Sequence, residues 1–234
     1  TDFDALEKEK DVRLEYIDDK EQLNSPDVII IPGTKNTIED LAWLKRSGLA
    51  KQMLSTINHK PSTILIGICG GYQMLGSKIF DLGEVESKRK EIDGLGILPI
   101  VTSFSKEKIL AQIKARAADA MLEVCGYEIH HGKTKRLKDI RPAFRVTMRQ
   151  GKAVEDFDGA ISDDGKVWGT YIHGVFDENS FRRDFLNRVR QIKALPPLGR
   201  RVSFNLDKEF DKLADLVRKN INMKYLYKIL NREL

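Results

Sequence analysis

Cys69 stands between glycines, in Gly67-Ile68-Cys69-Gly70-Gly71, directly after the apolar run Thr63-Ile64-Leu65-Ile66. This is the grammar of a nucleophile elbow with a thiol in place of a hydroxyl: a buried strand ends, turns sharply and opens a helix. The turn strains the nucleophile's backbone, and glycine neighbours are needed because a Cβ would clash there. A helix N-terminus favours negative charge, so the position suits a thiolate, and its backbone N–H groups can hold an oxyanion. Without this setting Cys69 would read as a small buried hydrophobe, as most free cysteines do. Cys125 has no such setting and reads as structural.

A thiol with an ordinary pKa near 8.5 is mostly protonated at pH 7 and needs a base. The chain offers four histidines. His59, beside Lys60-Pro61, reads as a solvated cap at a helix end. His130 and His131 sit together in Gly126-Tyr127-Glu128-Ile129-His130-His131-Gly132, one packed and one facing a pocket. His173, in Gly169-Thr170-Tyr171-Ile172-His173-Gly174, ends a strand, which places it on the same sheet edge as an elbow at another strand's end. It is the preferred base, although 104 positions (173 − 69) separate it from Cys69.

The elements that must position these residues alternate. Val28-Ile29-Ile30-Ile31, stopped by Pro32-Gly33, reads as a strand buried on both faces. Thr37-Ile38-Glu39-Asp40 resembles a capping box, with Gly48 where a C-terminal cap belongs, and residues 49 to 58 continue as helix before the strand that leads into Cys69. Strand, helix, strand implies a parallel crossover. Further on, residues 94 to 101 read as a strand entered through a glycine turn, while residues 106 to 124 fit either helix or strand. Strands are expected over 144–148, 159–162 and 167–172, a helix over 181–192, and a terminal helical segment over 207–231 broken near Asn220. The fold class is therefore α/β: an open, mostly parallel or mixed central sheet flanked by helices, with a C-terminal helical segment. We expect one domain over residues 1–195 and a helical extension, 196–234, packed on it.

The composition agrees with a packed, soluble chain. Of 234 residues, 41% are apolar and 32% charged, which excludes disorder. A net charge of +5 comes from Lys and Arg scattered among carboxylates, so no nucleic-acid footprint is expected. No apolar run reaches the roughly 20 residues a membrane span needs, and no secretory signal is visible, so the expectation is cytoplasmic. The two cysteines are too few for a disulfide framework, and no metal site is expected. A first residue other than Met suggests a piece of something longer.

In this order the motifs resemble the glutaminase domain of the cobyric acid synthase family, within the class I, triad-type glutamine amidotransferases of flavodoxin-like fold. The resemblance runs along nearly the whole chain. It is carried by Thr1-Asp2-Phe3-Asp4 at the opening of the domain and Pro32-Gly33-Thr34-Lys35-Asn36-Thr37 as first active-site loop. The nucleophile segment Gly67 to Gly76, the turn Gly94 to Pro99, the glutamine-side strand Gly126 to Gly132 and the histidine segment Gly169 to Asp177 complete it. It implies that Cys69 attacks the side-chain amide of L-glutamine, that His173 shuttles the proton, and that N–H groups of Gly70 and the Gly33 loop hold the oxyanion. It implies substrate contacts for Gln73, His130 and Gly132, and more weakly for Tyr127 and Glu128. Gln73 is otherwise a helix-surface residue and Glu128 a strand-edge ion pair.

Full triads in related glutaminases carry a carboxylate two residues after the histidine, where this chain has Val175. Asp177 and Glu178 have the wrong spacing, so a Cys–His dyad is expected, oriented at most by a carboxylate lent from a partner domain. The resemblance also implies an ATP-binding synthetase domain, absent from this chain, that uses ATP and Mg2+ to amidate a corrin, adenosylcobyrinic acid a,c-diamide, with the ammonia. No Gly-x-x-x-x-Gly-Lys-Ser/Thr loop is present, so no cofactor is expected in this chain. Two other readings share the motifs: the ammonia supplier of a sibling ligase (cobyrinic acid a,c-diamide synthase or the cell-wall isoglutaminyl ligase), and a catalytically silent docking module.

Overall fold

The computed structural model describes residues 2–119, 121–137, 140–199 and 206–231. The chain groups into two units, residues 1–200 and 201–234. The first opens with a single helical turn, α1 (Asp4–Glu7), and a 3-10 turn at Lys20–Gln22, then β1 (Val28–Ile31). Helix α2 (Thr37–Arg46) follows, but its N-cap is Asn36, whose side chain accepts from Glu39 N–H at 3.3 Å. The capping box expected from Thr37 is thus shifted by one residue, which frees the Thr37 hydroxyl for the site. Gly48, in the left-handed region at φ +84°, turns the chain into α3 (Leu49–His59), as glycine alone does cheaply. Next come β2 (Ile64–Ile68), buried throughout, and the short helix α4 (Gly70–Met74).

Two short strands, β3 (Lys78–Phe80) and β4 (Glu91–Asp93), precede a long hairpin of β5 (Ile100–Ala117) and β6 (Glu123–Arg136). The stretch 94–99, expected to begin a strand, is instead a turn; its N–H groups bond back to Met74, Leu75 and Gly76, and the strand starts at Ile100. Of the ambiguous residues 106–124, 106–117 belong to β5 and 123–124 to β6, with Ala111, Ile113, Ala115 and Ala117 alternating into the core while their neighbours face solvent. Then follow β7 (Phe144–Arg149), β8 (Lys152–Asp158), β9 (Ala160–Ile161), β10 (Val167–Thr170) and α5 (Asn179–Ile192). Strands β3, β4 and β8 are short, mostly polar or half exposed, and their sequences carry no strong period.

The mixed α/β architecture is the expected one, with its strands in two hydrogen-bonded sets. The first runs β1-β2-β10-β9, with β1, β2 and β10 parallel and β9 antiparallel. In the second, β6 lies along one edge of β5, while β3 and β7 pair with the two ends of its other edge. An isolated bridge between Tyr127 and His173 joins the sets. Helix α5 packs Phe181 and Phe185 against Phe144, Trp168 and Phe176, an aromatic cluster with ring centroids 5.2–6.3 Å apart.

The second unit holds α6 (Leu206–Asn220) and α7 (Met223–Leu230), separated near Asn220 as the sequence predicts, with Asn222 capping α7 through its side chain. No helix among the described residues is long and apolar enough to cross a membrane.

Candidate active site

The parallel strands β2 and β10 deliver the two reactive side chains to one edge. Cys69 follows β2 at φ 50°, ψ −109°, the strained conformation that an elbow requires, and caps the N-terminus of α4. The turn closes only because Gly71 lacks a side chain: a Cβ there would stand 2.0 Å from the Ile31 carbonyl oxygen, backbone against backbone. Its sulfur lies 3.6 Å from the Ile129 carbonyl on β6. His173 follows β10, tied across to β6 by reciprocal backbone bonds with Tyr127 of 2.9 and 3.2 Å. Gly33 fits between the two: a Cβ on it would sit 3.0 Å from the His173 ring and 3.4 Å from the Cys69 Cβ. The predicted convergence of Cys69, His173 and the Gly33 loop is therefore present, and Gly70 borders the same loop through Thr34 and Thr37.

The dyad expectation is overturned. Asp2, from the opening segment, accepts from the His173 Nδ1 at 2.8 Å with one oxygen and from Gly174 N–H at 2.9 Å with the other. A carboxylate of this same chain thus sits on the His173 ring. Val175 is buried in the core, and Asp177 lies beside Gly174, not on the ring. The Asp2 bond fixes the ring orientation and leaves the buried Nε2 to the Cys69 sulfur. Burial opposes the imidazolium, but the hydrogen bond to Asp2 and the neighbouring Cys69 and Asp2 charges outweigh it, raising the His173 pKa to about 9. The Asp2 carboxyl is pushed up by burial, yet His173 and the Gly174 N–H together hold it below its ordinary range.

Around this line the other expected residues fall into two groups. Tyr127 stacks on the His173 ring at 5.0 Å and 12° and remains half exposed, a cover over the imidazole. His130 is buried, bonds the Gly132 carbonyl at 2.7 Å and stacks on Tyr171; burial pulls its pKa down to about 4, so it is neutral at pH 7. Gly132 lies directly against the Gln73 amide. Gln73, however, is buried and engaged: its oxygen accepts from Thr37 Oγ1 at 3.0 Å and its nitrogen reaches Tyr171 Oη at 3.1 Å. Glu128 is likewise buried in an ion pair with Arg149 at 3.2 Å. The helix-surface reading of Gln73 does not hold, since Gln73 is inside; Cys125 is exposed on β6. Asp2, Thr37 and Tyr171 were missed. For Asp2 no local pattern exists, because the contact spans 171 positions.

An α/β scaffold with a cysteine elbow, an adjacent histidine and a carboxylate on its ring points to the class of glutamine amidotransferases. Residues 1–181 match the CobB/CobQ-like glutamine amidotransferase domain, and the chain belongs to that family. Among curated relatives, it is 44% identical over 245 residues to the cobyric acid synthase of Alkaliphilus metalliredigens (strain QYMF), covering 100% of this chain and 48% of that protein. It is 45% identical over 243 residues to the cobyric acid synthase of Thermoanaerobacter sp. (strain X514), covering 99% of this chain and 48% of that protein. The chain thus spans about half the length of these relatives. Among solved structures, a glutamine amidotransferase crystal structure superposes with a TM-score of 0.56 at 15% identity, over 82% of this chain and 92% of that one. PurLQS from Thermotoga maritima superposes at 0.51 and 16%, over 76% and 83%. These last two likenesses establish the fold.

Proposed function

We propose that this chain is the glutamine-hydrolysing part of a cobyric acid synthase and that it works through a Cys69–His173–Asp2 triad. The observation that carries the reading is the His173 ring, held at Nδ1 by Asp2 with Cys69 as its other polar neighbour. With its pKa raised to about 9, His173 holds at pH 7 the proton it has taken from Cys69, and the sulfur, paired with that imidazolium, attacks the amide carbon of glutamine; the carbonyl electron pair moves onto oxygen, held by the Gly70 N–H and one from the Gly33 loop. The imidazolium returns the proton to the departing nitrogen, the C–N bond breaks, and ammonia leaves a glutamyl thioester. Water, deprotonated by His173, then attacks the thioester; glutamate departs and the thiol is regenerated. Asp2 stays ionised throughout and keeps the ring in its productive tautomer.

Gln73, Tyr171 and His130 form a wall that positions the Gly132 backbone, with the carbonyls of β6 and the Tyr127 ring facing the substrate. The elbow is read as a turn for the thiol and not as a phosphate cradle, because the space beside Gly71 is taken by the Ile31 carbonyl. Amidation of a corrin carboxylate, with ATP, is therefore assigned to the other half of a longer enzyme, supported by the cobyric acid synthase relatives. The test is glutamate release from glutamine by the wild-type chain and by Cys69→Ala, together with alkylation of Cys69 in the presence and absence of a glutamine analogue. Protection of Cys69 and loss of release in the variant support the reading. Equal release by both proteins sinks it, and alkylation indifferent to the analogue favours a docking module.

A further inference from the structure

Asp2 reaches His173 on a stretch of some ten residues whose regular structure is one helical turn, α1, far shorter than an isolated helix needs to persist in water. Phe3, Ala5 and Leu6 anchor it in the core. The polar anchorage lies further along. Glu9, 5% exposed, gives one oxygen to Arg182 Nε at 2.8 Å and the other to Arg183. Asp11 adds a second carboxylate to Arg183 at 2.9 Å and to Arg190 at 3.3 Å. Arg182 is fully buried, and its Nη1 also donates to the carbonyls of Phe176 and Asp177, at 2.7 and 3.0 Å, with Asn179 bound by Nη2. One guanidinium therefore grips both the segment that brings Asp2 and the loop that leaves His173.

We propose that the Glu9–Arg182–Arg183 cluster is a positioning device for the glutaminase site, setting the Asp2–His173 contact from outside the reacting atoms. The inference rests on the triad reading above. A buried cation held by several acceptors tolerates little displacement, because a lost partner leaves a desolvated charge. Seating Glu9 therefore fixes the register of the opening segment against His173. The ionisable groups facing that ring are Asp2 and Cys69, with His130 interacting with the ring by charge and Asp177 with Asp2.

The test is a double-mutant cycle on the full chain: wild type, Glu9→Gln, Asp2→Asn and the pair. The readings are kcat and KM for glutamine hydrolysis, His173 imidazole titration by NMR, and thermal unfolding. Misplacing a positioned group costs turnover steeply, so Glu9→Gln is expected to lower kcat by about 10- to 100-fold with KM little changed. It is expected to move the His173 titration toward that of Asp2→Asn, and the pair should be no slower than Asp2→Asn alone. Arg183→Lys, a gentler change that keeps the charge, should fall between and serves if Glu9→Gln does not fold. A Glu9→Gln or Arg183→Lys protein that loses thermal stability yet keeps the wild-type kcat and His173 titration overturns the proposal, as does an effect that multiplies with Asp2→Asn. If Asp2→Asn itself is wild type in both readings, the triad reading falls, and this inference with it.

Discussion

The sulfur and the carboxylate on either side of His173 are held by opposite means. Cys69 is fixed by its own neighbours: β2 before it, α4 after it, and glycines that let the backbone close on itself. Among the described residues no salt bridge involves Gly67 to Gly76. Asp2 is fixed by residues more than 170 positions away, through buried charges from α5 that meet Glu9 and Asp11. The nucleophile is thus built by local backbone geometry, while the orienting group is recruited by long-range electrostatics. A local turn forms wherever its sequence is intact; a recruited segment is in place only while its anchors hold. The two halves of one site should therefore fail differently.

Replacing the nucleophile should have the largest effect: Cys69→Ala is expected to cut glutamate release by about 10⁴-fold or more while leaving the thermal transition near wild type, since only a sulfur is lost. A residual rate within tenfold of wild type breaks the local half of the comparison. Gly71→Ala attacks the same half through the backbone. With no room beside the Ile31 carbonyl, it should remove activity and lower stability together, by roughly 3 kcal/mol or more in denaturant unfolding. Asp2→Asn attacks the recruited half; it should lower kcat by about 10²-fold and bring the His173 titration down from about 9, with the fold retained. An unshifted His173 in that variant would mean that the charge of Asp2 does no work. Tyr127→Ala, which uncovers the imidazole, should cost activity only a few-fold, on the order of the 1 kcal/mol that an aromatic stack contributes.

A gentler contrast concerns two aspartates. Asp2 accepts from an imidazole and an amide and is held below its ordinary range, so its contribution to stability is present above about pH 4 and is lost as pH falls. Asp158 is fully buried on neutral partners, Thr170 Oγ1 and the Tyr171 N–H, and burial raises it to about 7. Its contribution has the opposite sign: full below about pH 4, and lost as pH rises through 7. Asp158→Asn should therefore flatten any decline in melting temperature between pH 4 and 7, read by calorimetry. An unchanged slope would remove Asp158 from the account.

How far the sequence speaks follows the same division. The elbow, the strand ending in His173, the glycine turn at Gly48 and the break near Asn220 were legible, since each is encoded within a dozen residues by period, glycine or cap chemistry. Residues 106–124 stayed ambiguous because Ile109, Leu110, Ile113 and Ala117 suit a helix while Ile109, Ala111, Ile113 and Ala115 alternate as a strand would, and only pairing with β6 and β7 decides for the strand over 109–117. Asp2 was illegible as a site residue, although its segment was noticed. Its partner lies across the whole domain, and the Val175 position drew attention to the wrong place. Thr37 was read as a helix cap because Ser and Thr hydroxyls commonly serve there; Asn36 took that role and released it.

Tyr171 has a consequence of its own. Its hydroxyl meets Gln73 beside the elbow and Thr134 on the opposite sheet, and its ring lies on His130. Burial holds the phenol well above its ordinary pKa. Its hydroxyl accordingly keeps its proton across the range in which His173 and Asp158 titrate, so the bond it makes between the two sheets does not change sign or donor there.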